Sequence, residues 1–193
     1  MPRMTRTESQ TRNRELVLAA ARELFLRDGY LATSLAAIAD AAGFSTGVVY
    51  SNFNGKAELA LLVVREIQTE QLAALRGIVE RRRPVDETLA AVRKWGESAA
   101  DSGWPRLEIE LALDARSDPD FVSVEAKRQR SAVAQGAEML RGVVPKVVAD
   151  TLPLEAIADA AVNYAIGFAI RRLIDPKASL DHMETLLRGA FTS

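Results

Sequence analysis

Residues 34–53, Ser34-Leu35-Ala36-Ala37-Ile38-Ala39-Asp40-Ala41-Ala42-Gly43-Phe44-Ser45-Thr46-Gly47-Val48-Val49-Tyr50-Ser51-Asn52-Phe53, decide the fold. Ser34 is a side-chain cap for a helix whose apolar set is Leu35, Ile38, Ala39 and Ala42. Gly43 breaks that pattern and supplies a positive-φ position at which the chain can turn sharply. Phe44 plugs the corner, Ser45 caps a second short helix, and Val49 with Phe53 at i, i+4 anchors that helix to a core. Ala39 is small enough for the two helices to cross closely. The spacing predicts a helix-turn-helix whose second helix turns Thr46, Gly47, Val48, Tyr50, Ser51 and Asn52 outward or to the rim.

Outward from this pair the chain reads as further helices. Val17, Ala20, Ala21, Leu24 and Phe25 form one helical face within 12–28, and Gly29 follows as the stop. A long helix is expected over 56–83, halted by Pro84, with others at 84–101, 105–116, 119–144, 154–174 and 179–191. Their breaks are Gly103-Trp104-Pro105, Asp118-Pro119, Pro145, Pro153 and Pro176. There is no alternating strand pattern, internal repeat or low-complexity segment, so the class is all-α.

Composition narrows function. The 193 residues include no cysteine and one histidine, His182, which removes disulfides, thiolate catalysis and cysteine-bound zinc. There is no Gly-rich phosphate loop, metal-ligand cluster or nucleophile elbow, so no catalytic residue, metal or cofactor is expected. The N-terminus lacks the apolar core of a secretory signal. Asp159 and Asn163 interrupt the most apolar stretch, Ala156–Ile170, so no membrane partner is expected and a cytoplasmic location is. Net charge is −1, but unevenly spread: residues 1–56 hold seven basic and five acidic side chains, leaving 18 basic and 21 acidic for the rest. Arg3, Arg6, Arg12 and Arg14 oppose only Glu8 in the first fourteen residues. That stretch is either a solvated, frayed terminus or an arm that lies against a phosphate backbone or in a minor groove.

The outward face of the second helix suits DNA. A valine can touch a thymine methyl, Thr46 and Asn52 can bond base edges or phosphate, and Tyr50 can donate to phosphate. Lys56 adds a cation where helix N–H groups already favour an anion, and Ser34 opens another such helix start. Residues 12–60, through Arg14-Glu-Leu-Val-Leu-Ala-Ala-Ala-Arg-Glu-Leu-Phe25, Gly29, Thr33-Ser34, Ile38-Ala39, Ala42-Gly43-Phe44-Ser45, Gly47, Tyr50, Phe53 and Lys56, resemble the TetR family of bacterial transcriptional regulators. The resemblance implies a three-helix DNA-binding head over 1–55 and a ligand-binding, dimerising helical body over 56–193. It implies phosphate contacts from Tyr50 and Lys56 and base reading by Thr46 and Val48. The chain departs from the family pattern at Thr46 and at Ser51-Asn52, positions that bear on operator sequence.

In the body, residues 154–173 are apolar nearly all round, so one face packs inside the subunit and the other calls for a second chain or a central core. The resemblance favours a homodimer through the last two helices, with Ile157, Ala161, Ala165, Phe168, Met183 and Leu187 at the interface. Trp95, Trp104, Phe121, Met139, Tyr164 and Phe168 are either core or the lining of a small-molecule pocket, with Glu110 as a polar contact for an effector. The expected function is a ligand-responsive regulator, a repressor that binds a palindromic double-stranded operator as a dimer and is released by a small molecule. The competing reading is a helical ligand-binding or interaction module without a DNA role. Salt-dependent DNA binding separates the two.

Overall fold

The structure, a computed structural model, describes residues 5–144 and 146–185. Among these the regular elements are all helical: α1 (Arg6–Asp28), α2 (Leu35–Ala41), α3 (Thr46–Asn52), α4 (Lys56–Glu80), α5 (Val85–Asp101), α6 (Trp104–Ala115), α7 (Pro119–Val143), α8 (Lys146–Ala149) and α9 (Leu154–Ile174). Residues 181–185 are also helical, and the rest of the helix expected over 179–191, including Leu187, lies outside the described residues. None of the described helices is long and apolar enough to cross a membrane.

Two boundaries and one short element differ from the sequence expectation, each for a local reason. Helix α1 starts at Arg6, not near residue 12, because Thr5 and Glu8 form a capping box. The Thr5 N–H donates to Glu8 Oε2 at 2.7 Å, and the Glu8 N–H donates to Thr5 Oγ1 at 3.2 Å. Helix α4 ends at Glu80 rather than Arg83: Arg82 takes φ 46°, and Pro84 bars Arg83 from helical geometry. Helix α8 is one turn and has no periodicity to announce it.

The described residues divide into two compact units. The first holds the chain up to Gln68 together with Arg106–Ala115, so most of α6 belongs with α1–α3 and the start of α4. Its core is Val17, Ala21 and Phe25 from α1, Ile38 and Ala39 from α2, Val49 and Phe53 around α3, Leu59, Val63 and Val64 from α4, and Leu107 and Leu111 from α6. Burial of that many aliphatic side chains, at about 25 cal/mol per Å² of apolar surface, is what holds such short helices.

The second unit comprises Thr69–Pro105 and the described residues from Arg116 onward. Here α9 packs against α7 and α5. Small residues make the first crossing close: a Cβ at Gly136 would sit 3.4 Å from the Ala158 Cβ. Ala137, Leu154 and Ala158 form one buried cluster. A second joins Ala100, Phe168, Ala169, Ala178 and Leu180, with Met183 packed on it. Arg172 ties α9 to α5 through Asp101, with Nε–Oδ1 at 2.9 Å.

Two glycines carry the corners of the first unit. Gly43 has φ 75° with open space around a hypothetical Cβ, whereas Gly29 has φ 91° and ψ 164° with the Arg106 guanidinium where a Cβ would stand. Gly43→Ala should therefore cost about 1 kcal/mol, the left-handed penalty alone. Gly29→Ala should cost about 2 kcal/mol or more, since its backbone region is nearly closed to other residues. Urea unfolding of the two variants checks this, and equal losses would show that the Gly29 backbone region carries no extra penalty.

Candidate nucleic-acid interface

Helix α3 has seven residues, too few to be stable alone, so its orientation is whatever its anchors impose. Val49 is fully buried and Phe53 nearly so. These two sit on one side of the helix and turn the other side out: Tyr50 is 61% exposed, Gly47 and Ser51 are exposed, and Thr46, Val48 and Asn52 are half-buried at the rim. Of the six residues expected outward or at the rim, three are thus outward and three at the rim.

The entry to each helix is built differently. Ser34 accepts the Ala37 N–H at 3.1 Å and caps α2 through its side chain. Ser45 occupies the same position before α3 with extended backbone, but its side chain makes no capping bond. Capping of α3 by the Ser45 hydroxyl, as expected from sequence, is thus corrected: only its carbonyl closes the first turn, accepting the Val48 N–H at 3.0 Å.

The far end of α3 is held by a residue of α1. Arg14 donates through Nη1 to the Asn52 carbonyl and lies 4.4 Å above the Phe53 ring. A guanidinium there satisfies a carbonyl left over at the helix C-terminus and complements the negative end of its dipole. Asn52 bonds inward, donating from Nδ2 to the Val48 carbonyl at 2.8 Å, and the Ser51 hydroxyl donates to the same carbonyl at 2.8 Å. Thr7, Gln10, Thr11, Arg14, Ser51 and Asn52 line a polar notch of about 230 Å³ between α1 and α3.

Lys56 sits at the start of α4, half-buried. Its ammonium donates to the Tyr30 carbonyl at 3.1 Å and stands 4.2 Å over the Tyr30 ring. Tyr30, 1% exposed, in turn donates its hydroxyl to Asp114 Oδ2 of α6 at 2.6 Å. The Leu31 N–H donates to Glu110 Oε2 at 2.9 Å, and Arg106 pairs with Glu110 at 2.7 Å. Residues 29–31 are thus gripped by α4 and α6 together. Burial opposes ionisation of Glu110, yet the Leu31 N–H and the Arg106 guanidinium outweigh it and hold the carboxyl below the usual range. Burial, then the bond to Asp114 and its negative charge, push the Tyr30 phenol above its ordinary value.

These placements relocate several residues expected around an effector. Glu110 bonds within the first unit, to Leu31 and Arg106. Phe168, expected at both the pocket and the dimer face, is buried among residues of its own chain, because α9 is rotated so that this position meets α5; Met183 packs on the same cluster. Tyr164 is 43% exposed on α9 beside Ile157, Ala161 and Ala165, all exposed. Met139 lines a groove of about 420 Å³ with Arg76, Val79, Glu80, Arg82, Glu138 and Gly142. Trp95, Trp104 and Phe121 are half-buried, and the indole N–H groups of both tryptophans are buried with no acceptor among the described residues.

Residues 17–63 match the model of bacterial regulatory proteins of the tetR family. The HTH-type transcriptional repressor Rv1474c of Mycobacterium tuberculosis is 30% identical over 142 residues, 73% of this chain and 71% of that one. The chain belongs to the TetR family of bacterial regulatory proteins. The transcriptional repressor AcnR of Corynebacterium efficiens is 27% identical over 188 residues, 91% of this chain and 93% of that relative. Among solved structures, a TetR-family regulator from Pectobacterium atrosepticum superposes with TM-score 0.66 at 24% identity, covering 96% and 97% of the two chains. FadR of Bacillus subtilis, solved with stearoyl-CoA, gives TM-score 0.66 at 17% identity over 89% and 93%. In this TetR-family chain Tyr30 is a residue to which sequence reading gave no role, and Arg14, read as part of a basic arm, instead holds the end of α3. Arg14 stood in the matched motif, but its partner is a backbone carbonyl 38 positions away, invisible to any spacing rule.

Two titrations follow from the 29–31 corner. Glu110, lowered in the folded state, contributes stability above its ordinary value that is lost as pH falls through its folded value. Tyr30, raised, contributes stability below its ordinary value that is lost as pH climbs through its folded value. Thermal melts should then fall off below about pH 4.5 and above about pH 10. Glu110→Gln should flatten only the acid limb and Tyr30→Phe only the alkaline one. A Glu110→Gln acid limb as steep as wild type would assign it to other carboxylates.

Proposed function

We propose that this chain is a homodimeric transcriptional repressor that reads a two-fold-symmetric operator with α3 and is released by a small molecule bound in the second unit. The observation that carries the reading is the two-sided character of α3: Val49 and Phe53 in the core, Tyr50 and the small polar rim turned out. That rim fits a major groove, where Thr46 and Val48 are the base readers and Tyr50, Ser34 and Ser51 grip phosphate. An ammonium has three donors, and Lys56 gives one to Tyr30, so the same side chain serves corner and phosphate together. Recognition falls to the first unit, and effector binding and dimerisation to the second. A DNA-binding role places the protein in the cytoplasm.

Release and dimerisation rest on the second unit. FadR solved with stearoyl-CoA and SmeT solved with triclosan share this fold. The buried, unpaired indole donors of Trp95 and Trp104 favour an effector that brings hydrogen-bond acceptors, since such donors are costly when left without one. The effector must prefer the state that does not fit DNA, or binding it shifts nothing. Along α9, Ile157, Ala161 and Tyr164 recur at helical spacing and are exposed, a stripe a second copy covers.

Selection from a randomised duplex library followed by gel shift at fixed salt tests the reading. A palindromic site bound with affinity that falls steeply with salt supports it, and no DNA retained at low salt overturns it. Tyr50→Ala should weaken operator and non-operator DNA alike by about 1 kcal/mol or more, whereas Thr46 and Val48 variants should change the selected half-site. Ile157→Glu together with Tyr164→Glu should give a monomer in sedimentation velocity, and an unchanged dimer would move the interface off this face.

A further inference from the structure

Within the second unit one short stretch is strongly basic: Arg76, Arg81, Arg82 and Arg83 stand at the end of α4 with Glu80 as the one acid among them. All four arginines are exposed, and none of their guanidinium groups forms an ion pair or hydrogen bond among the described residues. Arg76 and Arg82 line the groove of about 420 Å³ between the ends of α4 and α7. That volume falls within the roughly 300–1,000 Å³ of small-molecule sites.

Half-buried Val79 and Met139 give the groove an apolar part, and a Cβ at Gly142 would meet nothing within 4 Å, so the backbone leaves that end open. Its acids are Glu80 and Glu138, and Glu138 is held by Arg141. Arg76, Arg82 and their neighbours Arg81, Arg83 and Arg141 outnumber these two carboxylates by three. Cations at helix C-termini are often there to complement the dipole. The ends of α4 and α7 supply only about half a negative charge each, so an excess of about two positive charges is left.

Arg82 is also placed against backbone preference. Among the described residues it is the one non-glycine with positive φ, 46°. Its N–H donates to the Val79 carbonyl at 3.4 Å, which puts it just beyond the cap of α4, where glycine is usual because a Cβ crowds the left-handed backbone. An arginine there strains the turn with no ion pair among the described residues to offset it. We propose that this groove binds a phosphate monoester carried on an apolar group, with Arg76 and Arg82 paired to the phosphate and Val79 and Met139 against the apolar body. Guanidinium forks match phosphate oxygens bidentately, a dianion answers the excess charge, and methionine conforms to irregular apolar shapes. The site includes none of the residues assigned to DNA, so it stands or falls apart from the repressor reading.

Titration calorimetry of the full chain without DNA tests this, with hexyl phosphate as the probe at about pH 8, where a monoester is dianionic. Hexyl phosphate should bind saturably and about tenfold more tightly than inorganic phosphate, the difference made by burying one or two methylenes. Arg82→Gly and Arg76→Gln should each weaken it about tenfold, the loss of one charge-assisted pair. Arg82→Gly relieves the left-handed strain, so it should melt no lower than wild type, which separates lost binding from lost folding. Unchanged affinity in both variants overturns the proposal, as does hexyl phosphate binding no more tightly than inorganic phosphate, the mark of a general anion effect. Capture on mixed phosphatidylcholine–phosphatidic acid vesicles without binding of soluble hexyl phosphate also overturns it and gives the arginines to a lipid surface.

Discussion

A seven-residue helix has no orientation of its own, and everything in the first unit is arranged around lending one to α3. Val49 and Phe53 fix its rotation by burial, and Arg14 fixes its far end by charge and a hydrogen bond to the Asn52 carbonyl. The three anchors act on different freedoms. Burial of two side chains at i, i+4 leaves the helix free to rock about the line joining them, and a guanidinium at the C-terminal carbonyl removes that motion. The outward face then follows with no further specification, because helical geometry places Tyr50 and the rim once Val49 is inside.

The same logic extends one step outward through Tyr30. Its ring packs at 5.8 Å from Phe25 in the core of α1, its carbonyl takes Lys56 of α4, and its hydroxyl takes Asp114 of α6. One buried residue thus joins three helices by three chemically different contacts. A buried hydroxyl without a partner is costly, so the residue demands its carboxylate as much as the carboxylate holds it. Lys56 shows how family likeness and geometry complement one another: the likeness marks the cation for phosphate, and the structure shows what aims it.

How much of this was legible in the sequence depends on whether the signal is local. The helices were, because apolar residues recur at the helical period and Gly43, Pro84, Gly103 and Pro119 interrupt them. The start of α1 was not read, because a capping box is polar and lies ahead of the first apolar residue. The outward face of α3 was legible from Val49 and Phe53 alone. The rotation of α9 was not: when a helix is apolar all round, composition does not say which side meets its own chain, so Phe168, expected at the dimer face as well as in core or pocket, is buried, and Tyr164, expected in core or pocket, is exposed. Glu110 read as a spare acid near a pocket because its partner, the Leu31 N–H, is a backbone group 79 positions away.

The charge pattern acquires a sharper meaning once α6 is assigned to the first unit. Split at residue 56, the chain reads as a basic head and an acidic body. Yet Glu108, Glu110 and Asp114 lie in a segment that belongs to the head. A DNA-binding unit that recruits carboxylates works against its own attraction to phosphate, unless those charges are matched where they sit. Glu110 is matched by Arg106 and a backbone N–H, and Asp114 by the Tyr30 hydroxyl. Both are committed to the corner at residues 29–31, off the outward face of α3, so the acidity that Glu110 and Asp114 bring to this unit is structural.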